Sequence, residues 1–273
     1  MISVDVRGRK VPALGFGTWR LSGATCVCMV ETALRLGYRH IDTAQVYGNE
    51  AEVGRAVAQS SLKRADIFIT TKVSQTSLRA AQVRSSFAQS LDRLQTPYVD
   101  LLLIHWPDER VALAETLGAM RELKAAGKTK AIGVSNFPVR LMEQAVAIAG
   151  DEIACNQVEY HLMLSQAPVL DFARRYGIAV TAYCPLARGR LMGHKVVEQV
   201  ARKHGKTVSQ VGLRWLVEQE GVLAIPKTSS EQHARENIAI FDFALDAEDH
   251  RLLDALPGAS RVVSPSFAPR WDG

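Results

Sequence analysis

Short runs of β-branched and aliphatic residues alternate along the chain with longer stretches in which apolar residues recur every three or four positions. The short runs, at residues 14–17, 38–42, 67–72, 99–105, 131–134, 154–157, 179–183 and 222–225, read as eight strands. Between them, residues 86–94 and 113–126 carry helical spacing, the second stopped by Gly127, and 169–176 is stopped in the same way by Gly177. Two helices in succession, 196–204 and 208–218, fill the seventh connection. Ahead of the first strand, residues 2–6 and 10–12 flank Arg7-Gly8-Arg9 as a small hairpin. Eight βα units in 273 residues match the size of an α/β (β/α)8 TIM barrel, one domain over residues 1–273, with the hairpin covering the barrel bottom. An open doubly wound sheet is the structural alternative.

Composition narrows the class. At 47% hydrophobic and 22% charged residues the chain is globular, and no apolar run approaches the roughly 18 residues of a membrane span. The first 17 residues, MISVDVRGRKVPALGFG, mix charges early and lack an apolar core before a small-residue cleavage site, so a cytoplasmic address without membrane attachment is expected. Cys26, Cys28, Cys155 and Cys184 include no CxxC pair, which points to reduced thiols and no metal site. The formal charge of +5 is dispersed, so nucleic acid is not an expected partner. The richest basic cluster, Arg202-Lys203-His204-Gly205-Lys206, ends a predicted helix, where cations complement the dipole without needing a partner.

Barrels carry their chemistry at the C-terminal strand ends. Here those ends hold Asp42 after the second strand, Lys72 after the third and His105 after the fourth, with Tyr47 just beyond the second. Singly each has a plain reading: a helix cap, a rim residue, a core histidine, packing. Together they are harder to dismiss, because Lys72 and His105 end strongly apolar runs where a polar group needs partners. A tyrosine near a lysine can supply a proton to a developing alkoxide. Bringing a phenol of pKa about 10 down to near 7 takes about 4 kcal/mol, which the Lys72 ammonium is expected to provide while Asp42 holds it charged. His105 would donate to the substrate oxygen. No side chain donates hydride, so a nicotinamide is implied.

GFGTW, GYRHIDTAQVYGNEAEVG, ITTKV, YVDLLLIHWP, IGVSNF, CNQVEYH and IPKTSS, in order from residue 15 to 230, resemble the signature blocks of the aldo-keto reductases. The run Arg261-Val262-Val263-Ser264-Pro265 is most similar to bacterial members of the 2,5-diketo-D-gluconate reductase type. The resemblance implies NADPH-dependent reduction of aldehydes and ketones by a monomer, with keto-sugars, α-dicarbonyls or keto esters as partners, and Asp42, Tyr47, Lys72 and His105 as catalytic tetrad. Gly15-Phe16-Gly17 agrees in one respect: Arg20 stands where the dinucleotide fingerprint needs its third glycine, so the cofactor site is not of that kind.

The same resemblance implies cofactor contacts at Thr18, Trp19 and Asp42, and carboxamide contacts at Ser135, Asn136 and Gln157. It further implies that Tyr183 stacks on the nicotinamide and that Pro185 and Leu186 lie along the pyrophosphate. By the same resemblance Lys227 and Thr228 contact the 2′-phosphate, Glu236 and Asn237 lie near the adenine, and Ile225, Ser229 and His233 complete the expected cofactor contacts. His233 stands where the family usually has arginine, which softens the preference for NADPH and leaves NADH as a weaker alternative, with Arg235 nearby. Trp19, Tyr47, His105, Trp106 and Trp271 are the expected substrate-facing residues. Two other functions fit the same residues. Lys72 could be a Schiff-base nucleophile, as in aldolase-like barrels, or the chain could be a non-catalytic NADP-binding subunit.

Overall fold

The computed structural model of the chain describes residues 2–272. A hairpin comes first, β1 (Ser3–Val6) antiparallel to β2 (Arg9–Pro12). Then follow β3 (Phe16–Gly17), α1 (Gly23–Leu36), β4 (His40–Asp42), α2 (Glu50–Gln59), β5 (Phe68–Val73), α3 (Ala80–Leu94), β6 (Val99–Ile104), α4 (Leu113–Ala125), β7 (Thr129–Ser135) and α5 (Val139–Ala149). The chain continues through β8 (Ile153–Glu159), α6 (Ala167–Tyr176), β9 (Ala179–Tyr183), α7 (Lys195–His204), α8 (Val208–Val217), β10 (Val222–Ala224), α9 (Glu231–Ile238) and α10 (Ala247–Asp254).

Strands β3 to β10 pair in chain order, each parallel to the next. Leu14 then bridges Ala224, the Gly15 N–H donates to the Ala224 carbonyl at 2.8 Å and the Gly17 N–H to that of Pro226 at 3.0 Å. The ring is therefore closed, which removes the open-sheet alternative. Every residue of β5 and β6 is buried, as expected where helices cover one strand face and the barrel interior the other. The first strand is shorter than its pattern predicts, and at Gly15, just ahead of it, the chain lies so close to its neighbour that a Cβ would stand 2.7 Å from His40 Nδ1.

The hairpin closes the bottom of this barrel. Arg7 donates to the carbonyls of Ile153 and Tyr176 at 2.9 and 3.0 Å, and Arg9 pairs with Asp100 at 2.5 Å, so both arginines grip the starts of strands or the end of α6. The basic cluster ending α7 departs from expectation. Lys203 pairs with Asp246 and Asp249, His204 with Asp249 and Lys206 with Asp242, docking the helix end on the start of α10 and the loop before it. Its positive charge is thus internally matched. Among the described residues no helix is long and apolar enough to cross a membrane.

Helices α2 and α3 meet at Gly54, where an added Cβ would stand 2.6 Å from the Arg93 and Leu94 carbonyl oxygens. These are backbone atoms that cannot swing away. Gly54→Ala is therefore expected to destabilise the fold by about 1–3 kcal/mol despite alanine's better helix propensity. The urea midpoint measures this, and an unchanged or raised midpoint would contradict it.

Candidate active site

Asp42 and Lys72, the last or next-to-last residues of β4 and β5, meet inside the barrel mouth. Lys72 Nζ lies 2.5 Å from Asp42 Oδ1, 2.8 Å from the Thr43 carbonyl and 3.3 Å from the Tyr47 hydroxyl. All three ammonium hydrogens are thereby engaged and the lysine is fully buried. Gln157, at the end of β8, donates from Nε2 to Asp42 Oδ2 at 2.8 Å, so both carboxylate oxygens have partners. Burial pushes the Asp42 carboxyl up and the Lys72 ammonium down, and their mutual attraction opposes both shifts.

Tyr47 stands on a single 3₁₀ turn, Gln45–Tyr47, that is clamped from both sides. Gln45 Oε1 accepts from the Ser74 N–H at 2.9 Å, and its Nε2 donates to the Ser86 and Ser90 hydroxyls. Asn49 donates to the carbonyls of Thr18 and Leu21 at 2.9 Å and accepts from the Thr43 hydroxyl. The tyrosine is thus fixed between two βα loops. His105 approaches its ring edge to face, with centroids 5.6 Å apart.

The phenol's acidity differs from the expectation drawn from the Lys72 charge. Burial, then the Asp42 carboxylate, then Tyr183 and Cys184, hold Tyr47 well above its ordinary 10. Asp42 is closer to the ammonium than the phenol is and offsets its field. Tyr47 consequently keeps its proton at neutral pH, in the form that can give it away.

His105 is pushed down to about 3, by burial first and Lys72 second, and His40 likewise to about 3. Both stay neutral in the folded chain, whereas in the unfolded chain each titrates near its ordinary 6.5. The unfolded state then binds more protons below that value. Their stabilisation is complete well above pH 6.5 and lost as pH falls toward 3, at up to about 1.4 kcal/mol per pH unit for each histidine. Between pH 6.5 and 5 the two are expected to remove about 3 kcal/mol. Denaturant titrations at the two pH values measure this, and equal stabilities would contradict it.

These groups floor a cavity of about 750 Å³. Trp19, Tyr183, Pro185, Leu186, Ile225 and Lys227 line it, as do Ser135, Asn136 and Gln157. The last three are also wired together. Asn136 Nδ2 donates to the His105 carbonyl at 2.9 Å and to Ser135 Oγ, its Oδ1 accepts from the Tyr183 hydroxyl at 2.7 Å, and Ser135 Oγ donates to the Gln157 carbonyl. Thr18 is buried beneath the cavity, its hydroxyl on the Asp42 carbonyl. Thr228, Ser229, His233, Glu236 and Asn237 lie beyond the cavity lining, on the β10–α9 connection and α9 itself. His233 is exposed, and Arg235 is held by Glu231 at 3.1 Å.

Trp106 lines the cavity but Trp271 does not. The tail turns back so that Asp272 accepts from the Val139 N–H at 2.7 Å, at the start of α5, which carries Trp271 behind Trp106 at 6.1 Å between centroids. Phe267 takes its place on the wall, with Val262, Val263, Ser264 and Pro265. Sequence spacing also passed over Arg20 and Arg188, whose guanidiniums sit 4.4 and 5.1 Å from the Trp19 ring at the cavity. Arg188 had one available signal, its place in the loop directly after β9.

Arg20, Arg188 and Lys227 all face this cavity and, among the described residues, none is in an ion pair. The single acid on the lining, Asp42, is committed to Lys72. Unmatched cations around an aromatic and amide floor fit a ligand that combines anionic groups with a planar ring, as a phosphorylated nicotinamide cofactor does. No group of three side chains able to hold a metal ion occurs among the described residues.

The profile of the "Aldo/keto reductase family" matches residues 13–257. Methylglyoxal reductase DkgB of Salmonella typhi is 42% identical over 96% of this chain and 99% of its own length. Glyoxal reductase of Bacillus subtilis is 40% identical over 93% and 92%. A crystal structure provisionally assigned as 2,5-diketo-D-gluconic acid reductase B superposes with a TM-score of 0.96 at 46% identity, covering 99% of this chain and 97% of its own. The aldose reductase of Schistosoma japonicum superposes with a TM-score of 0.93 at 33% identity, over 98% and 96%.

Proposed function

Because the chain belongs to the aldo/keto reductase family, we propose that it reduces small aldehydes and ketones, α-dicarbonyls foremost, using NADPH and the Tyr47 proton. The observation that carries this reading is the Tyr47 hydroxyl, 3.3 Å from a Lys72 ammonium that is itself paired with Asp42, at the floor of a cavity shared with His105. The α-dicarbonyl preference rests on the methylglyoxal and glyoxal reductases named among the relatives. When bound, the nicotinamide supplies a hydride, which no side chain can.

The chain's own residues handle the oxygen. His105 has its Nδ1 buried without a partner, leaving Nε2 open to the cavity. As a neutral imidazole with its proton on Nε2, it orients the carbonyl oxygen without adding a charge. Tyr47 gives its proton to that oxygen as negative charge develops there, and even a weakly acidic phenol is a far stronger acid than the alcohol being formed. Lys72 receives the resulting phenolate at hydrogen-bond distance, and Asp42 with Gln157 keeps the ammonium in place. Because His105 stays neutral down to about pH 3, the rate profile carries no histidine limb near neutrality. The engaged, buried ammonium of Lys72 leaves no lone pair for a Schiff base, so borohydride with a carbonyl compound should trap no adduct there.

Lys227, Arg20 and Arg188 would hold the phosphates, with Trp19 and Tyr183 against the rings. His233 in place of arginine, and Arg235 committed to Glu231, leave Lys227 as the principal contact for the 2′-phosphate. One charge-assisted contact discriminates by about ten- to a hundredfold. The ratio of kcat/KM with NADPH to that with NADH should fall in that range, and Lys227→Met should bring it toward one. Equal values in the unmodified protein would remove the preference. Loss of NADPH absorbance with methylglyoxal and a panel of simple aldehydes tests the function itself, and an inert protein would refute it.

A further inference from the structure

At the end of β8, opposite the catalytic pair, Glu159 is fully buried. Its carboxylate accepts from the Val262 N–H at 2.6 Å, the Val263 N–H at 2.8 Å and His161 Nε2 at 3.0 Å. His161 is buried too, and its Nδ1 accepts from the Met163 N–H at 3.2 Å, which makes Nε2 the nitrogen that donates to Glu159. No lysine or arginine pairs with this carboxylate among the described residues, since the Arg261 guanidinium stacks on Trp271 at 3.8 Å. A buried carboxylate without a cation is tolerated only when hydrogen-bond donors satisfy it. Two of its three donors belong to the C-terminal tail.

The tail beyond these two amides is the cavity wall. Upstream it is stitched to the β8–α6 loop, Ser165 N–H to the Gly258 carbonyl and Ser260 N–H to that of Met163, each at 2.8 Å. Downstream Phe267 packs edge-on against Trp106 at 5.5 Å between centroids, and among the described residues the next hydrogen bond to the barrel is Asp272 on the Val139 N–H. Between Val263 and Asp272, among the described residues, the backbone makes only the turn bond from the Ala268 N–H to the Pro265 carbonyl, at 2.9 Å. Val262, Val263, Ser264, Pro265 and Phe267 therefore face the cavity from a segment hydrogen-bonded to Glu159 at one end and resting on Trp106 through Phe267.

We infer that Glu159 is a positioning residue, which through the Val262 and Val263 amides sets the distance of the tail wall from the tetrad and so determines which carbonyl compounds bind productively. The inference rests on the reductase reading for its substrate, but the tether can be tested without turnover. Glu159→Gln keeps the shape while replacing one acceptor oxygen by an NH2 that opposes an N–H. At least one tail amide then loses its partner, and exchange at Val262 and Val263 should rise by about tenfold or more. KM for methylglyoxal should rise by a similar factor with kcat nearly kept, discrimination between small and bulky aldehydes should narrow, and the Kd for NADPH should not move.

Unchanged exchange in the variant, or faster exchange with unchanged KM and selectivity, overturns the inference. Should Glu159→Gln not fold, exchange in the unmodified protein decides: Val262 and Val263 must be the most protected amides between residues 261 and 271, and protection no greater than at Ser264 and Phe267 overturns it. An unmodified protein that reduces no carbonyl compound would defeat the reductase reading, while the exchange data would still judge the tether.

Discussion

Replacing Tyr47 by phenylalanine should lower kcat for carbonyl reduction by about a hundred- to ten-thousandfold, the usual contribution of a positioned proton donor. The substitution removes one oxygen and little else. Lys72 keeps Asp42 at 2.5 Å and the Thr43 carbonyl at 2.8 Å, so the lysine stays charged and fixed. The turn that carries the ring is held by Gln45 and Asn49, neither of which touches the phenol oxygen. Stability should therefore change by no more than about 1 kcal/mol, the net worth of an ordinary hydrogen bond. NADPH affinity should be preserved, because the cationic side chains at the mouth are untouched. Steady-state kinetics beside a cofactor titration checks both halves, and turnover within tenfold of the unmodified enzyme would rule out Tyr47 as donor.

Breaking the buried ion pair should have the largest effect on the fold. Lys72→Met strands the Asp42 carboxylate inside the barrel with only Gln157 as donor. Removing one partner of such a pair costs about 3–5 kcal/mol, since the remaining charge loses its compensation but not its desolvation. Asp42→Asn strands Lys72 in the same way. The double variant Asp42→Asn with Lys72→Met leaves neither charge stranded at this pair and should recover most of the loss. It should not recover activity, because nothing remains to receive the Tyr47 phenolate. Denaturant unfolding at pH 7 of the two single variants and the double one measures the cycle. A single variant as stable as the parent, or a double variant no better than the worse single, would show that the pair is not the buried, mutually dependent unit described above.

The contrast between these residues and the tail shows what sequence can disclose. Asp42, Lys72 and His105 were legible because each is polar at the end of an apolar run, and barrel geometry sends such ends to one face. The strands were legible for the same reason, burial on both faces leaving unbroken aliphatic runs. Helix α2, EAEVGRAVAQ, was passed over because its apolar stripe is thin and its packing relies on Gly54, a weak helix former chosen for close approach. Phe267 and Glu159 were missed because no periodicity encodes the path of an irregular tail, and a carboxylate ending β8 looks like any rim residue until two distant amides arrive on it. Trp271 was misplaced by the same ignorance of the tail's return to α5. The Tyr47 phenol lies above its ordinary range rather than below it because burial, which no residue spacing encodes, raises it first, and the Asp42 carboxylate, closer to the ammonium than the phenol is, raises it second.

The central claim is that a carbonyl compound takes a hydride from NADPH in this cavity while the chain delivers the proton. The most direct measurement uses NADPH deuterated at the transferring position of nicotinamide C4 in ordinary water, with methylglyoxal or a simple aldehyde, and locates the label in the product alcohol by NMR. The account predicts one deuterium on the former carbonyl carbon for each NADPH consumed, with an unlabelled hydroxyl that exchanges with solvent. Alcohol formed without deuterium on that carbon, or no alcohol at all, would contradict it.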